Sequence, residues 1–286
     1  MPIAKVNGIA LSFAEYGPSA GEPVVLVTGS GGKGQMWTPH QVPALTSAGY
    51  RVITIDNRGV APTQADEAEF TIADMVADTA GLIDYLNISP ARIVGFSLGG
   101  IIVQELLVAY PHLISQAVLM ASRGRTDAMR AAMVAAEIEL SDSGVVLPRR
   151  YAAVMQAMLY LSGNTRNDAR LIRDWLDIFE MVPPDPDISR AQRGLDLIVD
   201  RLDVYRQVKS DCLVIAFGDD LIVPTHMCRE LADHIPGCQY EEIADCGHYG
   251  CLERPEVVNS SIIKFFRSRQ ARQRSTDEVP QLNTFN

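Results

Sequence analysis

Several features are scarce or missing in this chain of 286 residues. No apolar run is long enough to cross a bilayer, and no basic segment followed by an apolar one at the N-terminus resembles a signal peptide, so a cytoplasmic protein is expected. The formal net charge of −10 argues against nucleic acid or an anionic membrane as the main partner. What remains is the composition of a soluble globular enzyme or binding protein with a small-molecule partner.

The cysteines also exclude two kinds of architecture. There are five, an odd number, and no C-x-x-C pair occurs, so a disulfide framework is not expected. Cys246 and Cys251 flank His248, but such ligands would be crowded and no fourth is evident, so the sequence predicts no metal and no cofactor. The glycines around Lys33 lack the spacing of a phosphate-binding loop.

Short β-rich runs alternate with helical patterns, which predicts an α/β fold with a mostly parallel central sheet flanked by helices. Residues 9–16 alternate like an antiparallel edge strand. Thr71 is placed to cap an amphipathic helix that ends near Leu86. The remaining predicted strands cover residues 23–28, 51–55, 91–96, 117–120, 212–217 and 239–243, and the later predicted helices cover 226–234 and 255–267.

Between residues 123 and 208 the strand signal is missing, and four helical patterns follow one another, over 128–140, 150–161, 169–181 and 191–208, with a break at Pro183–Pro186. This block predicts a helical cap, residues 123–208, inserted into a core formed by residues 1–122 and 209–269. Residues 270–286 are polar and aperiodic, which predicts a mobile C-terminal tail. The oligomeric state stays open, and a homo-oligomer is one possibility.

The run Gly95-Phe96-Ser97-Leu98-Gly99 is a G-x-S-x-G motif between an apolar strand and an apolar helix. In that context a serine stands on a sharp strand-to-helix turn, with its hydroxyl exposed above the sheet. The alternative is an ordinary glycine–serine turn. Ser97 is the candidate nucleophile.

A serine hydroxyl needs a base to take its proton and an acid to orient that base. His248 follows the last predicted strand in a glycine-bounded loop and is the candidate base. The acid is expected after the preceding strand, where Asp220 is favoured and Asp219 is the alternative; both could instead cap the next helix. For the oxyanion, the N–H groups of Leu98 and Ser30 are the candidate donors.

With these residues in place, the chain resembles the α/β-hydrolases, and within them the bacterial non-haem haloperoxidases (perhydrolases). The resemblance rests on residues 28–32, 36–43, 54–59, 75–79, the serine motif, 217–224, and Gly247-His248 with Glu253-Arg254-Pro255. Two departures stand out. Thr28-Gly29 replaces a frequent His-Gly, and residues 60–63 replace a frequent G-x-S continuation.

The resemblance implies a serine hydrolase that cleaves a carboxylic ester, thioester or lactone of a small to medium hydrophobic substrate through an acyl-enzyme on Ser97. Cofactor-free perhydrolysis would use the same residues. A second reading is a lyase or cyclase in which Ser97 and His248 transfer protons on a carboxylate-bearing substrate, as in the menaquinone-pathway lyase on this fold. A third is a receptor that retains only the fold.

Candidate substrate-binding residues follow from their place in the chain. Trp37 and Phe96 are expected to border the pocket, and Trp175 and Phe179 would reach it from the cap, although rings at helical spacing more often pack in a core. Arg123 and Arg125 follow a strand at the edge where ligands collect in such folds. Arg125 could bind a substrate carboxylate, or it could simply be solvated.

Overall fold

The computed structural model of the chain describes residues 1–63, 70–182, 192 and 194–277. Its centre is an eight-stranded sheet in the order β1-β2-β4-β3-β5-β6-β7-β8. The first two pairings, β1 with β2 and β2 with β4, are antiparallel, and the others are parallel. The strands are β1 (Ile3–Val6), β2 (Ile9–Tyr16), β3 (Pro23–Val27), β4 (Arg51–Ile55), β5 (Ala91–Phe96), β6 (Ile114–Met120), β7 (Asp211–Phe217) and β8 (Gln239–Ile243).

Helices cover both faces of the sheet, and four of the described helices follow one another between β6 and β7 before a short fifth. They are α1 (Gln41–Ser47), α2 (Ile72–Tyr85), α3 (Leu98–Ala109), α4 (Ala128–Asp142), α5 (Arg149–Tyr160), α6 (Gly163–Asn167), α7 (Leu171–Met181), α8 (Leu202–Tyr205), α9 (Thr225–His234), α10 (Gly250–Glu253) and α11 (Pro255–Asp277). Single 3-10 turns occupy Gly34–Trp37 and Gly194–Asp196. Of the helices described, none is both long and apolar enough to cross a membrane.

The edge strand is not the one that the sequence predicts. Strand β2 is antiparallel, as expected, but it is not the edge, because β1 pairs with it. Asn7 and Gly8 join the two strands with φ of 44° and 78°. Positive φ at both central residues is the signature of the tight type I′ hairpin turn, which Asn-Gly favours. A four-residue strand is too short for its own alternation to be read with certainty beside this turn.

The predicted helix over residues 191–208 is wrong for most of its length. In its described part Gln192 is helical, Gly194–Asp196 form a 3-10 turn, residues 197–201 are not helical, and α8 follows. Ile198 exchanges hydrogen bonds with Thr126, and Arg201 forms an ion pair with Glu105 at 2.7 Å. These long-range contacts hold the backbone extended and override its helical propensity. The proline-rich break at 183–186 lies outside the described residues.

The capping residue of α2 is confirmed. The Thr71 side chain accepts a hydrogen bond from the N–H of Asp74, and the Asp74 carboxylate accepts one from the N–H of Thr71. This reciprocal arrangement satisfies two helix-terminal donors at once. At the other end of the chain α11 continues to Asp277, beyond both its predicted end at 267 and the predicted start of the tail at 270. Residues 278–286 lie outside the described residues.

The core has two apolar layers, one on each face of the sheet. Strand β5 is central and all six of its residues are buried. Because β3 to β8 run parallel, their carboxyl ends meet at one edge, and the loops that follow β3, β5, β7 and β8 come together there. This edge is where the candidate residues converge.

Candidate active site

Ser97 stands at the junction of β5 and α3 in strained backbone, with φ 53° and ψ −118°. A positive φ is uncommon for a residue with a side chain and costs about 1–3 kcal/mol. On either side of Ser97 the chain passes very close to itself, which only glycine allows. A Cβ on Gly95 would lie 2.4 Å from the Gly99 carbonyl oxygen, and one on Gly99 would lie 2.3 Å from that of Val27. Both glycines of the motif are therefore required, because a larger residue would overlap neighbouring backbone atoms.

Replacing Gly99 by alanine is expected to destabilise the protein severely, by about 3 kcal/mol or more, because the added methyl group meets backbone atoms of β3 that cannot move aside. Thermal unfolding measures the change. Gly194→Ala is the matched control, since a Cβ there meets nothing within 4 Å and its φ is not in the left-handed region. Equal melting temperatures for the two variants would contradict this description of the turn.

The structure brings the three predicted side chains into one hydrogen-bonded chain. His248 Nε2 lies 3.1 Å from Ser97 Oγ, and His248 Nδ1 lies 2.8 Å from Asp220 Oδ2. A carboxylate can only accept, so Nδ1 carries a proton and Nε2 is left to accept from the serine hydroxyl. His248 and Asp220 are both buried, which shields these contacts from water. The arrangement can draw a proton from Ser97 towards His248.

Asp220, rather than Asp219, faces the histidine. Its second oxygen, Oδ1, accepts the N–H groups of Ile222 and Val223 at 2.8 and 2.9 Å, which fixes the carboxylate plane. Asp219 is exposed and accepts the N–H of Gly163 at 3.1 Å. The choice that the sequence leaves open is thus decided by where each carboxylate points.

The two expected oxyanion donors lie on either side of Ser97. Leu98 is the first residue of α3, where an N–H has no partner within the helix. Ser30 follows Gly29, and a Cβ on Gly29 would lie 3.2 Å from the Cβ of Ser97, so this loop runs against the nucleophile. Within the described part of the chain neither N–H donates a hydrogen bond. Both N–H groups therefore remain the candidate donors for an oxyanion at Ser97.

Aromatic rings surround the histidine. The Phe96 ring lies 5.0 Å and the Tyr160 ring 5.9 Å from the His248 ring, centre to centre. Tyr249 stacks on Tyr160 at 5.0 Å and on Trp175 at 6.2 Å. Burial raises the pKa of Tyr249, so its hydroxyl stays neutral. The site is therefore bounded by apolar rings.

The remaining residues predicted to contact substrate have three different surroundings. Trp175 and Phe179 both pack on Tyr249, and Trp175 is the more accessible of the pair. Trp37 is fully buried behind Phe96, at 6.4 Å between ring centres, so it supports the wall and does not line an open surface. Arg125 extends to Glu230, with Nε 2.9 Å from the carboxylate, and is not hydrogen-bonded to any of the three catalytic candidates.

The cysteines beside His248 do not compete as nucleophiles. Cys246 and Cys251 are both fully buried, and burial raises the pKa of each thiol to about 12. The thiolate is the reactive form of cysteine, and at neutral pH almost none is present at such a pKa. Ser97 therefore stays the candidate nucleophile at this edge of the sheet.

Glu253 holds the histidine loop, a role that the sequence analysis does not assign to it. Its carboxylate accepts the N–H of Gly247 at 2.7 Å, the N–H and hydroxyl of Ser162 at 3.0 and 2.8 Å, and the hydroxyl of Thr165. The peptide next to His248 and the junction of α5 with α6 are thus joined through one side chain. The one sequence signal at this position is the Glu253-Arg254-Pro255 segment, which carries part of the resemblance.

Replacing Glu253 by glutamine is expected to lower kcat about tenfold, because the amide nitrogen must face a donor where the carboxylate accepted one and the His248 loop is displaced. Steady-state kinetics together with thermal unfolding measure the effect. Glu256→Gln is the control, an exposed carboxylate two positions after Arg254. Unchanged kcat in Glu253→Gln would show that this network does not position the histidine.

Comparison with known proteins gives a consistent picture. Residues 22–255 match the profile of the alpha/beta hydrolase fold family. A Mycobacterium tuberculosis protein named "putative non-heme bromoperoxidase BpoC" is 47% identical over 92% of this chain and 100% of its own length. Its crystal structure has a TM-score of 0.86 and covers 90% of this chain and 96% of that one.

More distant relatives carry other hydrolase names. A protein of Variovorax paradoxus named "putative carbamate hydrolase RutD" is 29% identical over 89% of this chain and 95% of its own. The structure of a thermophilic esterase from Thermogutta terrifontis is 26% identical, with a TM-score of 0.75 over 91% of this chain and 94% of that one. The fold is thus shared by proteins whose names differ in the bond they act on.

Proposed function

The chain belongs to the α/β-hydrolase family, of the non-haem haloperoxidase type, and we propose that it hydrolyses a carboxylic ester, thioester or lactone through an acyl-enzyme on Ser97. The observation that carries the proposal is the hydrogen-bonded chain in which Ser97, His248 and Asp220 lie 3.1 and 2.8 Å apart. A hydroxyl, an imidazole and a buried carboxylate in this order are the requirements of serine acyl transfer.

In the proposed mechanism His248 Nε2 takes the proton of Ser97 as the serine oxygen attacks the substrate carbonyl. The N–H groups of Leu98 and Ser30 bind the oxyanion of the tetrahedral intermediate. His248 then gives the proton to the leaving group, and the acyl group stays on Ser97. Water attacks the acyl-enzyme in the second half, with His248 again as base, and releases the acid. Asp220 stabilises the imidazolium that forms in each half.

The surroundings support a small to medium hydrophobic substrate. The rings of Phe96, Tyr160 and Tyr249 lie 5.0 to 6.2 Å from the His248 ring, centre to centre. The Trp175 ring stacks on Tyr249 behind them. Residues 123–208, placed between β6 and β7, are proposed as a cap over this edge. The esterase name of the Thermogutta terrifontis relative and the carbamate hydrolase name of the Variovorax paradoxus relative both fit attack on a carbonyl with a heteroatom leaving group.

Perhydrolysis is a second candidate, favoured by the name of the 47% identical bromoperoxidase relative. Hydrogen peroxide would then replace water as the second nucleophile and release a peracid. The lyase alternative lacks its expected support. Arg125, the arginine expected to bind a substrate carboxylate, already pairs with Glu230 of the chain itself.

A substrate panel tests the proposal. p-Nitrophenyl esters from acetate to decanoate, an aryl thioester and an aryl lactone would be assayed with the full chain, and acetate with hydrogen peroxide would be assayed for peracid. We expect turnover of the shorter esters, with a maximum at short to medium acyl length. Absence of turnover on every acyl donor, with folded protein, would contradict the proposed hydrolase.

A further inference from the structure

Gln192 forms a buried bridge between two loops at the active-site edge. Its side chain is fully buried, and its amide group both accepts and donates a hydrogen bond. The oxygen Oε1 accepts the N–H of Gly31 at 2.7 Å, and the nitrogen Nε2 donates to the carbonyl oxygen of Arg58 at 2.9 Å. Gly31 lies in the loop after β3 and Arg58 in the loop after β4, so one side chain from the segment between β6 and β7 joins them.

The first of these loops carries Ser30, whose N–H is a proposed oxyanion donor. The loop is short of side chains that could hold it, since Gly29, Gly31 and Gly32 surround that residue. Gly31 has φ 67°, a conformation that glycine adopts readily but does not enforce. Its orientation must therefore come from hydrogen bonds.

Other hydrogen bonds among the described residues hold the same loop, and one of them holds the peptide between Gly29 and Ser30, which carries the Ser30 N–H. None of them reaches the peptide that follows Ser30. The N–H of Gly32 donates to the carbonyl oxygen of Gly29 at 3.1 Å, and the hydroxyl of Thr28 donates to that of Gly32 at 2.9 Å. Asn57 Nδ2 donates to the carbonyl oxygen of Thr28 at 3.1 Å. In the part of the chain that the structure describes, the bond from the N–H of Gly31 to Gln192 is the contact that fixes the peptide between residues 30 and 31.

We propose that Gln192 is a positioning residue for the oxyanion site. Gln192 fixes the peptide between Ser30 and Gly31, which directly follows the residue whose N–H is the proposed donor, and ties it to the Arg58 loop. With the preceding peptide held through the Gly29 carbonyl oxygen, this bond limits rotation at Ser30 and so helps to keep the Ser30 N–H directed at the space above Ser97. Acyl transfer thus depends on a side chain that touches neither the substrate nor the triad. This inference rests on the proposed function, because it concerns the transition state of that reaction.

Gln192→Met tests the proposal, since methionine has nearly the same length and volume but neither hydrogen-bonding group. A misdirected oxyanion donor weakens transition-state binding and leaves ground-state binding alone, so kcat on the best p-nitrophenyl ester should fall about 10- to 100-fold with KM within about twofold. The inhibition constant of an aryl trifluoromethyl ketone, which forms a tetrahedral adduct with an activated serine, should rise in parallel with the loss of kcat/KM.

Gln116→Met is the matched control. Gln116 is also fully buried and bridges two elements, accepting from Arg92 Nε at 3.0 Å and donating to the carbonyl oxygen of Phe265 at 3.1 Å, at the far end of the sheet. It should lower the melting temperature without changing kcat or ketone inhibition. If Gln192→Met does not fold, Gln192→Asn, whose shorter chain cannot reach both partners, replaces it with the same expected loss of kcat.

Wild-type kcat and ketone inhibition in a folded Gln192 variant would overturn the inference, whatever the change in melting temperature. A wild-type protein that neither hydrolyses the esters nor binds the ketone would instead refute the proposed hydrolase, and with it the role assigned to Gln192. Measurements on wild type and variant together therefore separate the two failures.

Discussion

Ser97→Ala is expected to lower kcat/KM on an activated ester by about 10⁵- to 10⁶-fold, because no covalent acyl-enzyme can form without the hydroxyl. The fold should remain intact. Alanine keeps the Cβ of serine, so it meets the same strain at φ 53°, and the backbone bond from the N–H of residue 97 to the carbonyl oxygen of Met120 is unaffected. Steady-state kinetics and thermal unfolding of the purified variant measure both quantities.

Ser210→Ala is the control for the loss of a serine hydroxyl. Ser210 lies at the opposite end of the sheet, where its hydroxyl donates to the carbonyl oxygen of Ile114 at 2.8 Å, so wild-type kcat/KM is expected. If Ser97→Ala keeps kcat/KM within about tenfold of the wild-type value, the reaction does not proceed through an acyl-enzyme on Ser97.

The second large effect is expected for Asp220→Asn, with kcat lowered about 10³- to 10⁴-fold. The reason lies in the two backbone donors. The N–H groups of Ile222 and Val223 already occupy Oδ1, so the asparagine must place its oxygen there and turn its NH₂ group towards His248 Nδ1. His248 would then accept at Nδ1 and carry its proton on Nε2. In that tautomer it cannot take the proton of Ser97.

Asp219→Asn provides the comparison within the same loop. Asp219 is exposed and its carboxylate accepts only a bond from the N–H of Gly163 among those found in the described residues, so a change of less than about threefold in kcat is expected. The pH profile of kcat and the melting temperature should be recorded for both variants. A larger loss in Asp219→Asn than in Asp220→Asn would reverse the assignment of the acid.

Much of the fold is predictable because its signals are local. Strand β5, the G-x-S-x-G motif and α3 follow one another without a gap, and the Thr71 cap of α2 is a four-residue pattern. The three catalytic candidates are also signalled locally, since each follows a strand whose place in an α/β order is recognisable. Their mutual distances depend on the register of the sheet, which the sequence does not specify.

The contacts that the sequence does not reveal are long-range bonds between a side chain and the backbone. Glu253 and Gln192 act through the N–H groups of Gly247 and Gly31, and a backbone N–H has no sequence signature. Gln192 lies 161 positions from Gly31 in the chain. The same kind of contact, between Ile198 and Thr126, explains the wrong helix over residues 191–208. The two missed roles and the wrong helix have one cause, because each depends on contacts with parts of the chain that are distant in sequence.

Covalent labelling tests most directly whether Ser97 is activated by its neighbours. The full chain would be treated with a fluorophosphonate at neutral pH, and the adduct located by mass spectrometry of the intact protein and its peptides. We expect one adduct per chain, on Ser97, absent in Ser97→Ala and formed much more slowly in His248→Ala. No adduct on folded wild-type protein, or an adduct elsewhere with Ser97 unmodified, would contradict this expectation.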